Sequence, residues 1–138
     1  MSDRIFVDSN IFLYAISDLD DSKRVVASKI MIQQNTISTQ VINEVSSNLI
    51  KKLKFNNDEI HQFIESCYAR YNVANIEQKT FLRACILRED YKLSYYDSLI
   101  VASAILSNCA TLYSEDMQHG LSIDDKLTIV NPFAKEMA

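Results

Sequence analysis

Glycine and proline each occur once in the 138 residues, and that scarcity removes several function classes at the outset. A phosphate-cradling loop needs glycines that let backbone amides approach an anion, and a flexible linker needs runs of Gly or Ser. The sequence has neither, and it shows no low-complexity tail and no internal repeat. Nucleotide-cofactor folds thereby lose their usual support. Cys67, Cys85 and Cys109 stand far apart, without the CxxC or Cys/His spacing of a zinc site. They are expected to be small buried hydrophobes in a reducing compartment. The two histidines, His61 and His119, fall on a polar helical face and in a turn, where solvation is expected rather than catalysis. Positive charge is also short: 14 Lys+Arg against 18 Asp+Glu leave a net charge of -4, which argues against a general electrostatic grip on nucleic acid. Any such contact must be local or assisted by a cation. No apolar run is long enough to span a bilayer, and no basic or apolar leader precedes Arg4-Ile5-Phe6-Val7-Asp8. A cytoplasmic protein without membrane contact is the expectation.

What is present is an alternation of short β-compatible runs with amphipathic helices, at 48% hydrophobic composition, enough for one core and one domain spanning 1–138. Ile5-Phe6-Val7 predicts a strand feeding a helix over Asn10 to Ile16. Helical spacing recurs at Val26, Ala27, Ile30 and Met31, at Ile42, Val45, Leu49 and Leu53, and at Ile60, Phe63, Ile64, Cys67, Tyr68 and Tyr71. Strand candidates Thr36-Ile37-Ser38 and Asn72-Val73-Ala74 separate these, and a further helix is expected from about Glu77 to Glu89. Leu99 to Leu106 is apolar nearly all round, as a helix packed on both sides would be; Ala110 to Tyr113 and Leu127 to Val130 are later strand candidates. The alternation predicts an α/β fold, a three-layer α/β/α sandwich around a central parallel sheet, with the first strand in the middle beside those near Thr36 and Ala110.

Four acids then stand out. Asp8 closes the first strand, where ligands collect in open parallel sheets, although it could equally N-cap the following helix. Asp97 falls at N3 of a Ser94-Tyr95-Tyr96-Asp97 capping box, yet shares a helical face with Ile100, Val101 and Ala104 and so points inward. Asp116 follows the strand ending at Tyr113, in what alone would be an acidic turn. Glu44 lies one turn into its helix at the edge of the Val41, Val45 and Leu49 stripe, where a lone acid would be solvent-exposed. In a parallel sheet all four reach one rim. Carboxylates about 4 Å apart repel by roughly 4 kcal/mol at an effective dielectric near 20, so such a cluster calls for protons or a hard cation, Mg²⁺ or Mn²⁺.

Three segments resemble the PIN domains, and within them the VapC-type toxins of bacterial toxin–antitoxin pairs. Val7-Asp8-Ser9-Asn10-Ile11-Phe12-Leu13-Tyr14-Ala15 is similar to the family's opening motif, Tyr96-Asp97-Ser98-Leu99-Ile100-Val101-Ala102-Ser103-Ala104 to its third-acid helix, and Leu112-Tyr113-Ser114-Glu115-Asp116-Met117 to its last acidic turn. The resemblance implies that Asp8, Glu44, Asp97 and Asp116 bind Mg²⁺ or Mn²⁺, with Asn10 and Ser114 supporting water on the cation. Glu59 and Glu115 remain alternatives to Glu44 and Asp116. It also implies endoribonuclease activity as the toxin of a type II pair, in which water activated by the cation attacks an RNA phosphodiester in line and no histidine base is needed. A small antitoxin partner and a homodimer follow from the same resemblance. The apolar run Ile11, Phe12, Leu13 and Tyr14, richer than one buried face requires, offers surface for them. Lys51, Lys52 and Lys54 could steer RNA, although cations at a helix C-terminus also favour the macrodipole. Two other readings stand beside this one. A phosphotransfer or phosphatase-like domain would want a second acid at position 10 or a Lys after Tyr113, where the chain has Asn10 and Ser114. A non-catalytic PIN-like interaction module would use the acids only as caps and turns.

Overall fold

The computed structural model describes residues 4–134; residues 1–3 and 135–138 of the expected 1–138 domain lie outside the described residues. Chain order is β1 (Ile5–Val7), α1 (Ser9–Ala15), α2 (Asp21–Met31), β2 (Thr36–Ser38), α3 (Thr39–Leu53), α4 (Asn57–Arg70), β3 (Asn72–Ala74), α5 (Gln78–Tyr91), α6 (Tyr95–Leu106), β4 (Thr111–Tyr113), β5 (Ser122–Ile123) and β6 (Leu127–Val130). The six strands form one sheet in the order β3-β2-β1-β4-β6-β5. β1 is central, paired in parallel with β2 on one side and β4 on the other, as the sequence predicts. β2 pairs with β3 and β4 with β6, also in parallel. β5 departs from the pattern: it is a two-residue edge strand antiparallel to β6, too short to leave a periodic trace in sequence.

Strand order fixes the layers. The connections β1 to β2 and β2 to β3 step toward one edge, and the connection β3 to β4 steps back past β2 and β1. Right-handed crossovers therefore put α1 to α4 on one face and α5 with α6 on the other. Packing agrees, with α1 against α2 and α3, α3 against α4, and α5 against α6. α6 also crosses under β1 to touch both β2 and β4, which is why every residue from Ser98 to Ile105 is buried.

The core joins both faces through Phe6, Val7, Ile37, Leu112 and Ile129 of the sheet to Val41, Val45 and Leu49 of α3 and Ile100 and Val101 of α6. At roughly 1.5–3 kcal/mol for each large side chain fully buried, this apolar contact is the main source of stability. Two expectations about apolar surface are corrected by it. Ile11, Phe12 and Leu13 are buried within this chain, Phe12 meeting Phe63 and Tyr71 edge to face, so the run is core, with only Phe12 reaching the wall of an open groove. In α4 and α2 the apolar stripe is wider than the core: Ile64, Tyr68 and Val26 are exposed.

Candidate active site

The sheet's connections reverse direction between β1 and β4, so the carboxyl ends of these two strands form the crevice where doubly wound sheets bind ligands. Val7 pairs with Tyr113 in register, and the next residues, Asp8 and Ser114, are consequently neighbours. Asp8 N donates to Tyr113 O at 3.0 Å and Ser114 Oγ donates to Asp8 Oδ2 at 2.9 Å. Asp8 is also the N-cap of α1, its Oδ1 accepting from Ser9 N at 2.7 Å. Capping and site geometry thus coexist in one carboxylate, because its two oxygens face different donors.

α3 starts from β2 at the same rim, its N-cap Ser38 accepting from Val41 N, so Glu44 projects from its second turn. α6 runs antiparallel to β4, which follows it after a short turn, so its first turn and Asp97 also lie at the rim. Ser94 Oγ accepts from Asp97 N at 3.1 Å; this cap uses the backbone of Asp97 and leaves its carboxylate to the site. Asp116 sits just past β4 and is exposed, held by Asn10 Nδ2, which donates to Asp116 Oδ2 at 2.9 Å.

Electrostatics links the four. Burial pushes the Asp8 carboxyl up from 3.8 to about 6, opposed by its bonds from Ser9 and Ser114 and reinforced by the charges of Glu44 and Asp97. Glu44 is raised chiefly by burial and also by Asp97 and Asp116, against hydrogen bonds from Gln40 and Ser9. Asp97 is raised by burial and then by Asp116, against Ser94. Each of these three carboxyls is raised by at least one other acid of the four, with no cationic side chain among these causes. As placed, no three His, Cys, Asp or Glu side chains among the described residues stand close enough to hold an ion directly. The acids sense one another through space. Their chemistry nevertheless fits a hard divalent cation: all four offer carboxylate oxygen, and Asn10 Oδ1 beside Asp116 is buried with no partner.

The other candidates lie elsewhere. Glu115 turns away from the rim, accepting from Tyr14 Oη at 2.8 Å and pairing with Lys23 of α2. Glu59 closes a capping box with Asn56 at the start of α4. Lys51 and Lys52 fall in the last turn of α3, about 10 Å along its axis from Glu44. His61 pairs with Glu65 on α4, and His119 Nδ1 accepts from Asn131 N at 2.9 Å, a structural bond where solvation was expected. Ser9 and Gln40 were not anticipated; the four-residue step from Gln40 to Glu44 is the trace that could have shown the second.

A PIN domain family model matches residues 5–120. The chain belongs to the PIN domain family. VapC-type members of the family are nucleases, and hydrolysis of nucleic acid is the coarse function that goes with the family. Among curated proteins no sequence match is found. Among solved structures, a toxin–antitoxin complex from Klebsiella pneumoniae superposes with a TM-score of 0.68 at 25% identity, covering 94% of this chain and 98% of that one. VapC20 from Mycobacterium tuberculosis, described as a sarcin-ricin-loop-cleaving toxin, gives 0.66 at 16% identity over 81% of this chain and 89% of its own. VapBC2 from Rickettsia felis, bound to a promoter DNA fragment, gives 0.64 at 21% identity over 91% and 96%. At these identities the likeness concerns the fold. No helix among the described residues is long and apolar enough to cross a membrane.

Proposed function

We propose that this PIN domain is a divalent-cation-dependent endoribonuclease and the toxin of a type II toxin–antitoxin pair. What supports the proposal is that Asp8, Glu44, Asp97 and Asp116 come from element ends on the rim between β1 and β4, that Glu44, Asp97 and Asp116 each raise the carboxyl of another of the four, and that no cationic side chain is among the causes. These four side chains would hold Mg²⁺ or Mn²⁺. The bound cation supplies a more acidic water and neutralises charge developing on the phosphate oxygens. The chain's own residues prepare the ground: Ser9 N and Ser114 Oγ fix both oxygens of Asp8, and Asn10 and Gln40 orient Asp116 and Glu44. With both histidines engaged elsewhere, proton transfer falls to water and the carboxylates.

The toxin reading adds partners. An open, largely apolar groove of about 470 Å³ lies between α2 and α4, lined by Ile16, Met31, Ile32, Phe63 and Tyr71 among others. Its shape suits one apolar face of a helix supplied by a small antitoxin. A homodimer is proposed as well, with a single species of twice the chain mass in sedimentation at micromolar concentration as its check. The function itself is tested by incubating the purified chain with RNA and either Mg²⁺, Mn²⁺ or EDTA. Cleavage restricted to the cation-containing reactions is expected; intact RNA under all three conditions, with no Mn²⁺ binding, would leave a non-catalytic interaction module.

A further inference from the structure

We propose that Gln40 is a positioning residue of this site, acting through Glu44, an inference that rests on the cation-site reading above. Gln40 stands one turn before Glu44 on α3, and its Nε2 donates to Glu44 Oε1 at 3.1 Å. Its Oε1 is buried with no hydrogen-bond partner. The amide can face the carboxylate only with its NH₂, since two oxygens would repel, so the orphaned acceptor is a consequence of the grip on Glu44. Asn10 repeats the arrangement from α1: Nδ2 holds Asp116 and Oδ1 is buried without a partner.

Two neutral amides from two helices thus each hold one of the outer acids. A lysine there would orient the carboxylate and also cancel its charge, as Lys23 does for Glu115. A neutral donor orients it and leaves the negative charge for a cation. The two unpaired carbonyl oxygens suit a ligand that brings hydrogens with it, and Mg²⁺ gives up its water reluctantly. Residues that hold metal ligands in place typically change metal affinity by about 10- to 100-fold when removed.

The experiment measures Mn²⁺ affinity by calorimetry on the full chain, with melting in EDTA recorded beside it. Gln40→Met, and Gln40→Ala as a second variant, are expected to bind Mn²⁺ about 10-fold more weakly while melting in EDTA no lower than the wild type. In a Glu44→Gln background the same change should alter affinity less than about twofold, because Gln40 acts through the Glu44 carboxylate. Equal weakening in both backgrounds, or early melting of both variants in EDTA, makes the role structural and overturns the proposal. Wild-type affinity in Gln40→Met overturns it too, and Asp8→Asn separates the causes. If Asp8→Asn has lost Mn²⁺ the cation site stands without Gln40, whereas if it also binds normally the cation-site reading has failed.

Discussion

Glu115 and Asp116 are adjacent in sequence and opposite in circumstance. Glu115 has a cation built into the fold: Lys23 pairs with it, Tyr14 donates to it, and the ammonium lies 5.0 Å from the Tyr14 ring centroid and 5.4 Å from that of Phe133. Asp116 faces the rim, where Asp8, Glu44 and Asp97 add negative charge and Asn10 adds only a neutral donor. An acid whose counter-charge is supplied by its own chain ties elements together, here α2 to the turn after β4. Acids that crowd one rim and lack a counter-charge are costly on their own, and they gain when a cation arrives. One residue step separates a clasped acid from one held only by a neutral amide.

The strongest test of that contrast is Asp8→Asn. The amide keeps a cap for α1 and can donate to Ser114 in place of accepting from it, so the fold is expected to persist. Cation-dependent RNA cleavage should fall by at least about 10²-fold, the scale on which removal of one electrostatic stabiliser acts. A variant that melts lower than the wild type yet still cuts RNA would refute the assignment.

Next in size is the pH dependence of stability in metal-free buffer. The Asp8 carboxyl titrates at about 6 in the fold against an ordinary 3.8, so between these values the folded state holds a proton that the unfolded state has released. This group's effect is therefore a loss of stability as pH rises from about 4 to about 6, of roughly 3 kcal/mol at 1.36 kcal/mol per unit. Chemical denaturation across that range should follow the decline, Asp8→Asn should make it shallower, leaving the share of Glu44 and Asp97, and saturating Mn²⁺ should lift the neutral-pH end by about 2.7 kcal/mol at 100 times its Kd. A wild-type profile that does not change between pH 4 and 6 removes the electrostatic argument.

Breaking the clasp should have a smaller effect of another kind. Lys23→Met removes a partly exposed ion pair, so a loss of roughly 1 kcal/mol or less is expected in thermal melts, with Mn²⁺ affinity within a few-fold of the wild type. The least effect belongs to Glu59→Gln. Glutamine can still complete the capping box with Asn56, so melting should move by no more than about 0.5 kcal/mol and cleavage should be unchanged. Loss of cleavage in Glu59→Gln would reverse the choice of Glu44 over it.

By itself the sequence determined the element types, because periodicity reports burial directly: Ile5 to Val7 as a strand, Leu99 to Leu106 as a helix packed on all sides, and the sheet's centre at β1. It also determined the position of three acids, since Asp8, Asp97 and Asp116 each sit at an element boundary whose hydrophobic pattern marks it. Boundaries without a pattern were left open. β5 is two residues long, and the apolar run in α1 had the same look whether it met a partner or, as it does, Phe63 and Tyr71 of its own chain. Only the tertiary structure gave neighbouring acids their different partners. Glu44 and Glu59 both lie near the start of a helix and Glu115 and Asp116 share a turn. The Ser-x-Asp spacing favours Asp116 and the outer face of its helix turns Glu59 toward solvent, yet sequence alone leaves both pairs open. What separates them is which other segment each one meets: Lys23 from 92 residues earlier for Glu115, Asn10 from 106 residues earlier for Asp116, and Gln40, through the turn of its own helix, for Glu44. The partners 92 and 106 residues away are set by the packing of whole elements and no local window of sequence contains them, whereas the Gln40–Glu44 pair lies within one helical turn.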